Sequence, residues 1–207
     1  MNRFKTEQEQ FWAGEFGNQY IKRNNGERLI ASNLALFSKI LSKTSSVQSI
    51  IEFGANIGLN LFALKSLVPN GELHAIEINP TAVMELEKMN LTKIYPQSIL
   101  DFIPENQYDL AFTKGVLIHI NPDCLPQVYD LLYQSSRRYI MIAEYYNPSP
   151  VEVSYRGHNG KLFKRDFAGE FIQRFSNLKL VDYGFAYHGD PTFPQDDLTW
   201  FLIEKKI

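Results

Sequence analysis

The sequence predicts an α/β fold: a mostly parallel seven-stranded sheet with an antiparallel edge strand and an N-terminal helical cap. Three observations predict it. From Val47 onward, apolar strand patterns alternate with helical ones, which implies a parallel sheet covered on both faces. Residues 49–60 run from an apolar strand through a glycine turn into a helix. The last two strand patterns have no helix between them, so they suit an antiparallel pair at one edge.

The N-terminal region comes first. In residues 1–25, Phe4, Phe11 and Trp12 suit one helix face, and Gly14 and Gly17 are expected to break the helix beyond it. A helix is expected over 27–43, where Leu29, Ile30, Leu34, Phe37, Ile40 and Leu41 recur at helical intervals. Residues 1–45 thus read as a cap. Strands are expected at 48–53, 72–78, 92–96, 108–113, 138–145, 178–187 and 198–205, and helices at 57–67, 80–89, 123–136 and 166–176. Asn79-Pro80 and Asn121-Pro122 each offer an Asn cap followed by proline at the first helical position, where its missing N–H costs nothing. Nothing divides the chain, so 1–207 reads as a single domain.

Bulk properties narrow the function. The 207 residues are 44% hydrophobic and 21% charged, the composition of a globular chain. A net charge of −2 argues against a nucleic-acid binder, which carries a basic excess. Cys124 is the only cysteine and the four histidines show no ligand-pair spacing, so no metal is expected. The polar start MNRFKTEQEQ is no signal peptide, and no apolar run reaches membrane-spanning length. The expectation is a cytoplasmic protein, monomer or homodimer, without membrane insertion.

The most informative stretch is Glu52-Phe53-Gly54-Ala55-Asn56-Ile57-Gly58. Glycine lets the backbone approach a ligand closely, and the helix opening after the turn points unpaired N–H groups toward the same crevice. In open α/β sheets, ligands sit at the carboxyl ends of the strands. Glu77 ends the next strand roughly 20 residues on, the distance expected for an acid that grips ribose hydroxyls. A dinucleotide GxGxxG frame from Gly54 fails, because Asn56 and Leu59 stand where glycine is required.

The spacing Glu52-x-Gly54-x-Asn56-x-Gly58 resembles the first motif of class I S-adenosylmethionine (SAM)-dependent methyltransferases, with Asn56 in place of the usual middle glycine. The resemblance extends over residues 45–207. It implies a Rossmann-like class I methyltransferase fold with SAM as cofactor, held by Glu52, Gly54, Ala55, Asn56, Gly58, Glu77 and Ile78. It also places Ser98 and Ile99 at the adenine-contacting turn, although the family often has an acid at the position of Ser98. Lys114 ends the fourth strand beside the same site. Phe11-Trp12-Ala13-Gly14-Glu15-Phe16-Gly17, Leu162-Phe163-Lys164-Arg165-Asp166-Phe167 and Asp197-Leu198-Thr199-Trp200-Phe201 resemble the pseudaminic-acid-biosynthesis-associated methyltransferases, whose label reflects neighbourhood in surface-glycan pathways.

Methyl transfer from a sulfonium needs position and a dry pocket more than a catalytic constellation. His119, after the fourth strand, is the candidate general base, and Tyr146 a further catalytic candidate. Tyr20 and Arg23 of the cap are candidates for the methionine end. Tyr145 and Tyr155 are candidate pocket walls. Residues 147–165 are too long for a minimal connection and read as a substrate loop. Its Arg156, His158, Lys161, Lys164 and Arg165 would attract a phosphate or carboxylate. Arg156, His158 and Lys164 are the candidates to bind an anionic small-molecule or glycan-precursor substrate, Arg156 by its fork. His188, Asp190, Asp196 and Asp197 read as surface residues. Two other classes stay open: a SAM- or nucleotide-binding subunit without turnover, and an NAD-dependent oxidoreductase, which the failed glycine pattern disfavours.

Overall fold

The computed structural model describes residues 4–24 and 26–206. Helix α1 (Glu7–Ala13) starts at a capping box, in which Glu9 N–H donates to the Thr6 hydroxyl at 3.2 Å and Thr6 N–H donates to the Glu9 carboxylate at 2.7 Å. Gly14 separates it from α2 (Glu15–Arg23). Gly17 does not break the helix as expected. It lies buried inside α2, where a Cβ would stand 1.9 Å from the Trp12 carbonyl oxygen. Here close approach of two backbones, not turn geometry, requires glycine. Helix α3 (Glu27–Leu41), expected as part of the cap, instead sets Phe37 and Ile40 into the core on one face of the sheet.

The alternating region then runs β1 (Ser49–Phe53), α4 (Leu59–Leu67), β2 (Glu72–Ile76), α5 (Pro80–Glu87), β3 (Lys93–Tyr95), β4 (Tyr108–Lys114), α6 (Leu125–Ser135) and β5 (Ser136–Glu144). Both Asn-Pro starts are formed. The Asn79 side chain accepts from Thr81 and Ala82 N–H, and Asn121 accepts from Asp123 N–H at the head of a short 3-10 turn that leads into α6.

A separate hairpin of β6 (Val151–Glu152) and β7 (Phe163–Lys164) interrupts the run. Helix α7 (Phe167–Arg174) and strands β8 (Leu178–Ala186) and β9 (Leu198–Lys205) then finish the main sheet, whose strand order is β3-β2-β1-β4-β5-β9-β8. Strand β9 runs antiparallel between β5 and the edge strand β8; the other pairings are parallel. This is the expected mostly parallel seven-stranded sheet with its antiparallel strand toward one edge. Phe37, Ile40, Leu61 and Leu64 bury one face against Ile50, Leu110, Phe112 and Met141. Val128, Leu132 and Phe171 bury the other against Ile51, Ala111, Ile140 and Ile203. No helix among the described residues is long and apolar enough to cross a membrane.

The expected substrate loop is this ordered hairpin. Strands β6 and β7 pair antiparallel, and at the tip Tyr155 and His158 exchange two backbone hydrogen bonds at 2.8 and 3.0 Å. Arg156 and Gly157 take φ of 50° and 83°, the pattern of a two-residue hairpin turn of the primed type. The hairpin packs on the cap: Gln8 Nε2 donates to the Gly160 carbonyl, Lys161 pairs with Glu7, and His158 meets the rings of Phe11 and Phe16.

Candidate functional site

The carboxyl ends of β1, β2 and β4 meet beneath the cap and enclose a cavity. Its floor is the glycine loop. Gly54 (φ 76°) packs so closely that a Cβ would meet the Val116 methyl groups at 2.8 and 2.9 Å, and Asn56 has φ 48°. Glu77 sits at the centre, buried. Its carboxylate accepts from Asn56 N–H at 2.6 Å and from Asn79 N–H at 2.7 Å. Burial raises its pKa, and those N–H donors oppose the rise.

Around Glu77 the lining divides by chemistry. On one side lie Ser98, Ile99, Leu100 and Ile120, largely apolar; on the other lie Asn60, Lys114 and Asp196. Burial lowers the Lys114 pKa, and Asp196, Glu52 and Glu144 pull it back up. Glu52 is fully buried beneath this second side, with Oε1 accepting from Asn60 Nδ2 at 2.6 Å. Burial pushes its pKa up to about 8. Several buried polar atoms here have no hydrogen-bond partner: Glu52 Oε2, Asn60 Oδ1, Gln8 Oε1 and Trp12 Nε1. Such atoms are costly to leave unpaired, so the wall is built for a polar ligand.

His119 lines the cavity and packs at a tilt against two neighbouring rings, Trp12 at 4.5 Å and Tyr155 at 5.0 Å. Its Nδ1 lies 2.6 Å from the Lys161 carbonyl, which only accepts; Nδ1 therefore carries the proton and Nε2 keeps the lone pair. Burial lowers its pKa to about 4, so the ring is neutral at physiological pH. The segment carrying it is braced by buried Glu144, which accepts from Val116 and Leu117 N–H and from the Thr113 hydroxyl.

Of the residues singled out from the sequence, Tyr20, Gly54, Ala55, Asn56, Glu77, Ile78, Ser98, Ile99, Lys114 and His119 line the cavity. Gly58 caps α4 against Leu86 and Met89, outside the lining. Burial raises the Tyr20 pKa, and Tyr155, Asp196, Arg156 and Arg23 also act on it, which puts these groups together at the cap side. Arg23 and Arg156 are exposed there, and Tyr145 joins the same cluster. Lys164 lies over the Tyr145 ring, and exposed His158 rests on the cap aromatics. Tyr146 is 44% exposed and stands outside the cavity near Phe201. Lys161 and Arg165 are paired with Glu7 and Glu170, which reduces the free charge of the hairpin.

Sequence reasoning missed several residues. Asp196, expected at the surface, lines the cavity because Gln195 pins its loop to Asn33 of α3. Asn60 had a signal, as the one polar side chain in the first six residues of α4. Gln8 and Trp12 share one face of α1, four residues apart.

No family model matches the sequence, and no curated protein matches it. Solved structures do match. The chain is similar to magnesium protoporphyrin IX methyltransferase of Synechocystis PCC 6803, crystallised with bound SAM, at 9% identity over 100% of both chains and a TM-score of 0.67. It is similar to 1,6-didemethyltoxoflavin-N1-methyltransferase of Burkholderia thailandensis, with bound S-adenosylhomocysteine, at 11% identity over 97% of this chain and 87% of that one, TM-score 0.70. A SAM-dependent methyltransferase of Leishmania major matches at 14% identity over 97% and 82%, TM-score 0.71. These likenesses show the fold: the chain has the Rossmann-like fold that class I methyltransferases share.

Proposed function

We propose that the chain is a SAM-dependent methyltransferase acting on an anionic small molecule or cell-surface glycan precursor, by O-methylation of a sugar acid, phosphate or phosphoramidate group. The observation that carries this reading is Glu77, fixed by two backbone N–H groups at the centre of a cavity with one apolar and one charged side. The residues fit the cofactor. Glu77 retains lone pairs for ribose hydroxyls, and the unpartnered oxygens of Asn60 and Glu52 suit an ammonium. Lys114 suits a carboxylate. The fold of methyltransferases crystallised with SAM or S-adenosylhomocysteine supports the same assignment.

Bound SAM supplies a methyl group activated by its sulfonium. The chain's own residues position and enclose. Trp12 and Tyr20 wall the cavity, and His119 presents Nε2 as a neutral acceptor. An imidazole that releases its proton near 4 is a weak base. It therefore suits an acceptor oxygen that arrives already ionised. Arg23 and Arg156 beside Tyr20 and Tyr155 support an anionic acceptor, and the sequence resemblance to the pseudaminic-acid-associated enzymes supports a glycan precursor.

Incubation with methyl-labelled SAM and matched sugars, carrying a carboxylate or phosphate or neither, tests the proposal. Label is expected only in the charged members, and Arg156→Ala is expected to raise their KM. Efficient labelling of the neutral sugars contradicts the anionic acceptor. SAM binding with no transfer to any member supports a binding subunit without turnover.

A further inference from the structure

Gln8 is 9% exposed and reaches the cavity from α1. Its Nε2 donates to the Gly160 carbonyl at 2.8 Å. A carbonyl accepts only, so this bond fixes the orientation of the amide and leaves Oε1 as its other branch. Oε1 is buried with no hydrogen-bond partner. The cap is anchored three residues earlier on the turn after β3: Lys5 Nζ donates to the Leu100 carbonyl at 2.9 Å and pairs with Asp101 at 2.6 Å. Gln8 thus belongs to the side of the cavity walled by Ile99 and Leu100. That side is apolar enough for a flat base, while the side with Lys114 and Asp196 suits the charged groups of an amino acid. The turn's one carboxylate, Asp101, is taken up by Lys5, and the Ser98 hydroxyl already accepts from Leu100 N–H at 3.0 Å.

Resting on the reading of this cavity as a SAM site, we propose that Gln8 Oε1 accepts a hydrogen bond from the exocyclic amine of the adenine ring, making Gln8 a specificity-determining residue for the cofactor's base. A helix of the cap, rather than the sheet, then reads the nucleobase. An amine at that ring position donates to Oε1. A keto oxygen there sets two acceptors against each other and leaves both unpaired, the kind of mismatch by which polar sites discriminate.

Calorimetric titration with S-adenosylhomocysteine and S-inosylhomocysteine tests this without turnover. Wild type is expected to favour the adenosyl compound by roughly tenfold or more, the range of one buried hydrogen bond. In Gln8→Leu the preference is expected to shrink to about twofold or less, chiefly through weaker binding of the adenosyl compound. Taking the ratio within one variant cancels any loosening of the cap that affects both ligands. Gln8→Met, closer in shape, gives the same ratio if Gln8→Leu does not fold. A preference that persists in these variants, or that wild type lacks, overturns the role of Gln8. Failure of wild type to bind S-adenosylhomocysteine at all overturns the SAM reading itself.

Discussion

His119 joins burial, tautomer and chemistry in one side chain. The Lys161 carbonyl holds the proton on Nδ1, and burial against Trp12 and Tyr155 keeps the ring neutral down to about pH 4. With an acceptor that is already ionised, His119→Gln is expected to lower kcat by less than about a hundredfold, below the upper range of general-base catalysis. The wild-type kcat is expected to be flat from about pH 6 to 8, because the imidazole has lost its proton well below that window. A loss near ten-thousandfold, or a kcat that rises with a midpoint between about 6 and 7, would instead make His119 an essential base. This residue's position after the fourth strand was legible in the sequence. Its tautomer was not, since the carbonyl that sets it lies 42 positions away on the hairpin.

At the scale of elements, the cap and hairpin form one roof. Gln8, Glu7 and the rings of Phe11 and Phe16 hold the hairpin, while Asn79 Nδ2 donates to the Trp12 carbonyl at 2.9 Å and ties α1 to the head of α5. Gly17 is the closest point of that junction. Gly17→Ala would set a methyl 1.9 Å from the Trp12 oxygen and 2.6 Å from Asn79 Nδ2. It is expected to cost about 1–3 kcal/mol, the range of overpacking, and to weaken S-adenosylhomocysteine binding. Limited proteolysis should then cut the cap before the sheet. An unaltered digestion pattern and affinity would show that the cap does not depend on this contact. The sequence revealed the glycine loop because strand, turn and helix are local signals. It misread Gly17 because local propensity favours a break, whereas a tertiary contact selects glycine there. The hairpin was equally hidden: its paired strands are two residues each, too short for an alternation pattern. Lys161, expected to attract an anion, instead pairs with Glu7 at the far end of the chain, and Arg165 pairs with Glu170 of the following helix.

For the whole molecule, buried ionisable groups tie stability to pH in opposite directions. Unfolded, His119 binds its proton near the ordinary value of 6.5; folded, it does so near 4. The unfolded state therefore holds more protons between those values. Stability falls as pH drops through this window, by on the order of 3 kcal/mol from this group. Glu52 acts the other way. Its folded pKa of about 8 lies above the ordinary 4.5, so its contribution is complete below 4.5 and is lost as pH rises through about 8. Denaturant melts across pH should show the acid-side loss diminished in His119→Phe and the alkaline-side loss diminished in Glu52→Gln. Slopes unchanged in both variants would mean that these groups are solvated in solution. A mostly parallel sheet covered on both faces follows from the alternation of strand and helix patterns from Val47 onward, whereas the strand order is set by tertiary packing that no local pattern encodes. Asp196 could not be foretold, because only the folded path of its loop, pinned by Gln195 to Asn33, brings it to the cavity.

Binding of SAM in the cavity over Glu77 is the proposal from which the other roles follow. Calorimetric titration of S-adenosylhomocysteine into wild type and Glu77→Ala tests it most directly. Charge-assisted hydrogen bonds contribute about 1.5–3 kcal/mol, so the variant is expected to bind roughly ten- to a hundredfold more weakly while wild type binds one molecule per chain. Equal affinity in the two proteins, or tighter binding of NAD than of S-adenosylhomocysteine by wild type, would contradict it.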